Sequence, residues 1–177
     1  MSAAKQRFAE QENVSVVQGN FRDIQQHLKE LGIEKVDRLC IDLGISSDQL
    51  DSESRGFSYR FDSPLDMRMN PSTGISAAEL LNTYSEEQLR EILLSHSNLK
   101  REQLVTAICQ ERTEQPFERT EDLMTVIKRS APRFPNRQRF IRFVQQVFQA
   151  LRIEVNDELG AIKDCLDQID AILAPGG

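Results

Sequence analysis

The chain has 177 residues, 39% hydrophobic and 28% charged, enough for one domain with a buried core or for one domain carrying an insertion. Its 22 basic and 28 acidic residues leave a net charge of -6, which repels nucleic acid on average. No run approaches the ~18 apolar residues of a membrane span, and Met1-Ser2-Ala3-Ala4-Lys5 lacks the apolar core of a signal peptide, so a cytoplasmic protein with no membrane partner is expected.

In chain order, Val14-Ser15-Val16-Val17 reads as a short β-branched strand ending in the turn Gln18-Gly19-Asn20-Phe21. Arg22 to Gly32 then reads as a helix stopped by glycine, and the run from Val36 to Gly44 as a second strand with Asp42 at its end. Strand, helix, strand at this spacing is the βαβ pattern of a parallel sheet, in which ligands bind beyond the carboxyl ends of strands. Phe21 and Asp42 are predicted to sit at two such ends. Residues 45–75 show no periodicity and exceed an ordinary connection. Phe57, Tyr59, Phe61, Leu65, Met67 and Met69 supply enough apolar anchors to predict an ordered loop.

From Ser76 to Ser130 the pattern is helical. Ser76-Ala77-Ala78-Glu79 and Ser85-Glu86-Glu87-Gln88 both fit a capping box. A longer helix is predicted from about Lys100 to Thr113, and another from Thr120 to about Ser130, before Pro132 and Pro135 break the chain. Helices without strands between two α/β segments predict an insertion over the sheet's ligand edge. From Phe140 through Val144, Val147, Leu151, Val155, Leu159, Ile162 and Leu166 to Ile169 and Leu173, apolar residues recur every three or four positions. They predict a core-facing helical stripe divided near Asn156-Asp157.

Charge is not uniform. From Leu123 to Ile153 there is no Asp or Glu, while Lys128, Arg129, Arg133, Arg137, Arg139, Arg142 and Arg152 are positive, with Phe134, Phe140, Phe143 and Phe148 between them. Guanidinium groups pair with phosphates and aromatic faces stack on unpaired bases, which makes this segment the candidate RNA-contacting surface. A solvated cationic helix with its phenylalanines in the core fits the same pattern. The three cysteines, Cys40, Cys109 and Cys165, are scattered and odd in number, against a disulfide framework or a Cys-x-x-Cys metal site. They read as small buried hydrophobes. His27 and His96 lack an acidic or cysteine partner in sequence and read as solvated helix residues, so no metal site is predicted.

The loop carries the densest chemistry. Asp42-Leu43-Gly44-Ile45-Ser46-Ser47-Asp48-Gln49-Leu50 places a carboxylate at a strand end, hydroxyls in the turn and an amide seven residues on. The acid can accept from an amine, and Gln49 can donate and accept. Downstream, Arg55-Gly56-Phe57-Ser58 and Pro64-Leu65-Asp66-Met67-Arg68-Met69 mix charged with bulky apolar side chains. The mixture suits a pocket enclosing a flat polar ring, or equally a loop whose Arg55, Asp66 and Arg68 tie it together.

These three runs, from Asp42 to Asp51, from Arg55 to Ser58 and from Pro64 to Met69, closely resemble the MraW/RsmH family. Ser76-Ala77-Ala78-Glu79, the run from Phe148 to Leu159, and Leu173-Ala174-Pro175-Gly176-Gly177 follow in the family's order, so the resemblance spans nearly the whole chain. It implies an α/β fold: a partial Rossmann-like methyltransferase sheet (1–75 and 146–177) with an α-helical insertion subdomain (76–145) facing RNA. It implies an enzyme that takes S-adenosyl-L-methionine and methylates the exocyclic N4 amine of a cytosine in small-subunit (16S) ribosomal RNA. Phe21, Asp42 and Gln49 are the implied cofactor contacts, with Asp42 also catalytic as an orienting acceptor for the amine. Arg55, Asp66, Arg68, Arg137, Arg139 and Arg142 are the candidate RNA contacts, and a homodimer is a further candidate assembly. Family members begin with a strand and a Gly-Gly-His loop and continue into a Ser-Phe-His-Ser strand. Neither is in these 177 residues, so a chain trimmed at both ends is expected. The competing class is therefore a non-catalytic RNA-binding or regulatory fragment. The segment Arg142-Phe143-Val144-Gln145-Gln146 also replaces a His-Pro-Ala-Thr-Arg pattern usual in the family.

Overall fold

The computed structural model describes residues 2–46, 50, 53–97 and 102–177. They divide into two compact units, Met1–Asp42 with Glu158–Gly177, and Leu43–Asp157.

In the first unit, α1 (Ser2–Arg7) precedes a 3-10 turn (Phe21–Asp23) that runs into α2 (Ile24–Glu30). The Asn20 side chain caps the 3-10 turn by accepting from the Arg22 amide at 3.1 Å, and Gly32, at φ +71°, ends the helical segment as expected. At Gly19 a side chain would displace the tip of the His27 ring. The His27 ring lies 2.1 Å from where a Cβ would stand, its Nε2 3.1 Å from the Asn20 carbonyl. After α8 (Glu158–Leu166) and α9 (Ile169–Ile172) the chain meets Val36 in a single parallel bridge. The Val36 amide donates to Ile172 at 2.8 Å, and the Ala174 amide donates to Val36 at 2.9 Å.

That bridge corrects the expectation of a sheet. Among the described residues, 14–17 and 36–44 form no strand ladder; apart from the Val36–Leu173 rung, the other bridge is an isolated antiparallel contact of Pro64 with Arg119. A β-branched run supplies strand propensity, but a strand exists only where a neighbour takes up its amides and carbonyls. Val17 is 43% exposed, so this run is not buried on both faces as a central parallel strand requires.

The second unit holds the larger core. The loop of residues 53–75 packs beneath α3 (Ala77–Thr83), α4 (Glu86–Ser97), α5 (Glu102–Glu114), α6 (Thr120–Ser130) and α7 (Arg137–Val155). Both capping boxes form. The Ser76 amide donates to Glu79 at 2.7 Å while Ser76 Oγ accepts from the Glu79 amide, and Ser85 and Gln88 repeat the exchange. The helix predicted from about Lys100 is α5, with Lys100 itself outside the described residues. Ala131 turns to an extended conformation before Pro132 and so ends α6.

α7 buries Phe143, Val144, Val147, Phe148 and Leu151. Past the break at Asn156-Asp157 the stripe does not continue into a core. Leu159 and Leu166 are 52% and 54% exposed, and Ala161, Cys165 and Ile172 are buried instead. Asp157, at φ +46°, interrupts the helical backbone between α7 and α8, so the three-four spacing is not one continuous stripe. Of the cysteines only Cys165 is fully buried; Cys40 is exposed. His96 is not a solvated residue either. Its Nε2 meets Glu154 Oε2 at 3.0 Å, a partner 58 positions away.

Candidate functional site

In the second unit a cleft of about 410 Å3 opens between the loop and α7. One wall is Ile45, Leu50 and the run Phe57-Ser58-Tyr59-Arg60. The other is Gln145, Phe148, Gln149 and Arg152, whose spacing of three, one and three puts them on one face of α7. Tyr59 meets Phe148 edge-on, with ring centroids 6.0 Å apart. The Ser58 hydroxyl turns the wall by accepting from the Arg60 amide at 3.2 Å. The cleft thus offers the partly exposed Tyr59 ring beside the side-chain amides of Gln145 and Gln149, with no carboxylate among its described lining residues.

The loop wall is fixed from behind. Gly56, at φ +70°, passes so close to Pro64 that an added Cβ would lie 2.4 Å from its carbonyl oxygen. The Arg55 guanidinium donates to the carbonyls of Arg68 and Met69 and lies over the Phe57 ring at 5.7 Å. Asp66 and Arg68 form a two-pronged pair, Nε to Oδ1 at 2.6 Å and Nη2 to Oδ2 at 3.2 Å. Burial pushes the Asp66 carboxyl up, but the Arg68 side-chain and backbone hydrogen bonds, with the Arg68 and Arg55 charges, outweigh it and hold the group below the usual aspartate range. Arg55, Asp66 and Arg68 therefore engage one another and the loop backbone, and none of them lines the cleft.

The remaining predicted residues are dispersed. Phe21, half-buried, opens the 3-10 turn, and Asp42 is exposed at the end of the first unit's N-terminal segment. Among the described residues no hydrogen bond or ion pair engages the Asp42 carboxylate. Gln49 lies outside the described residues. Arg137, Arg139 and Arg142 are all exposed in the first two turns of α7, where Asn136 caps by accepting from the Arg139 amide at 3.0 Å. The phenylalanines of that segment turn inward. Phe143 and Phe148 are buried, and Phe134 stacks against Phe140 and Phe143 at 6.0 and 5.4 Å. Arginines at the surface and rings in the core are what an amphipathic cationic helix produces. No group of three or more His, Cys, Asp or Glu that could hold a metal ion occurs among the described residues. No described helix is long and apolar enough to cross a membrane.

Of the cleft wall on α7, Phe148 and Arg152 lie in the cationic segment singled out from the sequence, and Gln145 and Gln149 were missed. Their signal was available, since Gln145, Gln149 and Arg152 recur on the polar side of a helix whose other side is wholly apolar.

The MraW methylase family matches residues 1–177. The chain belongs to this family. It is similar to proteins named ribosomal RNA small subunit methyltransferase H. The one from Deinococcus deserti is 45% identical over 167 residues, covering 93% of this chain and 54% of the relative. That from Cytophaga hutchinsonii is 44% identical, with 93% and 54% covered. One from Clostridium botulinum (strain Kyoto / Type A2) is 43% identical over 175 residues, with 96% and 56% covered. The chain spans about half the length of the curated relatives it matches. Membership makes it a methyltransferase-family chain, and the family is consistent with a Rossmann-like fold, although the described residues are mostly helical.

Proposed function

We propose that the protein serves as an S-adenosylmethionine-dependent methyltransferase acting on the exocyclic N4 amine of a cytosine in small-subunit (16S) ribosomal RNA, in the cytoplasm. The family match along all 177 residues carries this reading. The donor set is chemically suited to the methyl donor. Phe21 presents an aromatic face for an adenine, and Asp42 keeps a carboxylate unengaged by any described neighbour. With Gln49, these residues would hold the donor, which supplies a methyl group on a positively charged sulfur.

The protein's part in the reaction is alignment and exclusion of water. Asp42 accepts a hydrogen bond from the attacking amine and orients it. Strong base catalysis is unnecessary, because the amine can lose its proton after the carbon–nitrogen bond forms. Arg137, Arg139 and Arg142 meet RNA phosphates. Three cations near a helix N-terminus oppose the macrodipole, and phosphate charge offsets that cost. The insertion of residues 76–145 is accordingly the RNA-facing part. The cleft, with Tyr59 as a stacking face and Gln145 and Gln149 as hydrogen-bonding groups, receives a nucleotide of the strand. Arg55, Asp66 and Arg68 act on RNA through the loop they brace.

Expression of the encoding gene in a bacterium lacking N4-methylcytidine in its small-subunit rRNA tests the reading by mass spectrometry of the digested RNA. The modified nucleoside is expected with the wild-type gene, and about 100-fold less with Asp42→Ala, at an unchanged melting temperature. Absence of the nucleoside with the wild-type gene overturns the proposal. Wild-type levels with Asp42→Ala remove Asp42 from the site.

A further inference from the structure

Asn156, the residue that ends α7, has a part in this site that its place in a helix cap does not explain. Its Nδ2 donates to the carbonyls of Met67 and Arg152, both at 2.8 Å, and its Oδ1 accepts from the Met69 amide at 2.6 Å. The side chain thus bonds both its own helix and the long loop, on either side of Arg68. Between the two walls of the cleft, Arg152 belongs to the helix wall, and Arg55 stands two residues before the loop wall.

Met67 shows what this connection maintains. It is fully buried and holds φ +59°, a left-handed conformation costly for a side chain of this size. Such a residue persists only where its surroundings over-determine it. Here the Met67 amide donates to the Arg55 carbonyl at 2.9 Å, Arg55 returns its guanidinium to the Arg68 and Met69 carbonyls, and Asn156 takes the Met67 carbonyl. Removing Asn156 takes from Met67 the one bond to the end of α7 found among the described residues.

We infer that Asn156 is a positioning residue, which sets the separation of the cleft's loop and helix walls by clamping the strained Met67 turn to the end of α7. The inference rests on the methyltransferase reading of the cleft for its consequence in turnover, and on the bonds above for the clamp itself.

The test is amide hydrogen exchange by NMR on the whole chain, paired with methylcytidine formation in the cell assay. In Asn156→Ala, exchange at Met69 is expected to rise about 30-fold, the combined effect of two lost loop bonds. Amides inside α3 and α6, such as Leu81 and Val126, should keep wild-type protection, which general destabilisation would not allow. Methylation should fall at least about 10-fold. Asn156→Asp, which retains the acceptor for Met69 but cannot donate to Met67, should fall between wild type and alanine in both measurements. Unchanged Met69 exchange in Asn156→Ala overturns the clamp. Raised exchange with wild-type methylation overturns the positioning role. A wild-type gene that yields no methylcytidine overturns the functional reading and the turnover claim with it, while the exchange result still decides the clamp.

Discussion

Thr120 is 1% exposed and anchors the loop just beyond the cleft wall. Its hydroxyl donates to the Phe61 carbonyl at 2.7 Å and accepts from the Ser63 amide at 3.0 Å, while its own amide donates to the Ser63 carbonyl at 2.9 Å. Thr120→Val keeps the shape and removes only the hydroxyl. The Ser63 amide, on a residue 2% exposed, then loses its partner, at a cost of about 1–3 kcal/mol. The Phe61 carbonyl is less buried and recovers part of its bond from water, which adds about 0.5–1 kcal/mol. The new methyl returns less than about 1 kcal/mol. The net loss is about 2 kcal/mol, or a fall in melting temperature of about 4–8 °C for a chain of this length. Thr120→Ser keeps both bonds and deletes one buried methyl, for about 1 kcal/mol. Urea unfolding of the two variants beside wild type measures the order. If serine proves as damaging as valine, packing of the methyl holds the loop and the hydrogen-bond argument is wrong.

Two further outcomes follow from the electrostatics. Because the folded-state pKa of Asp66 lies below its unfolded value, the stability it adds is present above about pH 4 and is lost as pH falls through the folded value. The urea midpoint of Asp66→Asn should therefore approach that of wild type as the pH is lowered from 7 to about 3, and a constant gap would refute the assignment. Replacing Arg137, Arg139 and Arg142 with Gln should flatten the salt dependence of RNA binding by about 2 units of log K per log salt, if each arginine meets one phosphate on a single strand. An unchanged slope in a filter-binding titration would make them surface charges only.

Much of the second unit was legible because helix limits are local decisions. Ser76, Ser85 and Asn136 each cap a helix within three residues of themselves, and Pro132 stops one by sterics that no tertiary contact is needed to impose. The family, too, was readable from the ordered runs of the loop and of α7. Pairing is a different matter. Val36 was readable as extended, but which chain segment lies beside it, and for how many rungs, is set by residues more than 130 positions away.

The sequence by itself determined the helices of the second unit, their caps and the cationic face of α7, since spacing and capping chemistry act over a few residues. Only the tertiary structure decided that Phe143 and Phe148 serve the core, that His96 finds Glu154, that Leu159 and Leu166 stay exposed, and that Gln145, Gln149 and Arg152 face Tyr59 across a cleft. Each of those outcomes depends on what an element packs against, and the free energy of burial is not a property of any one segment.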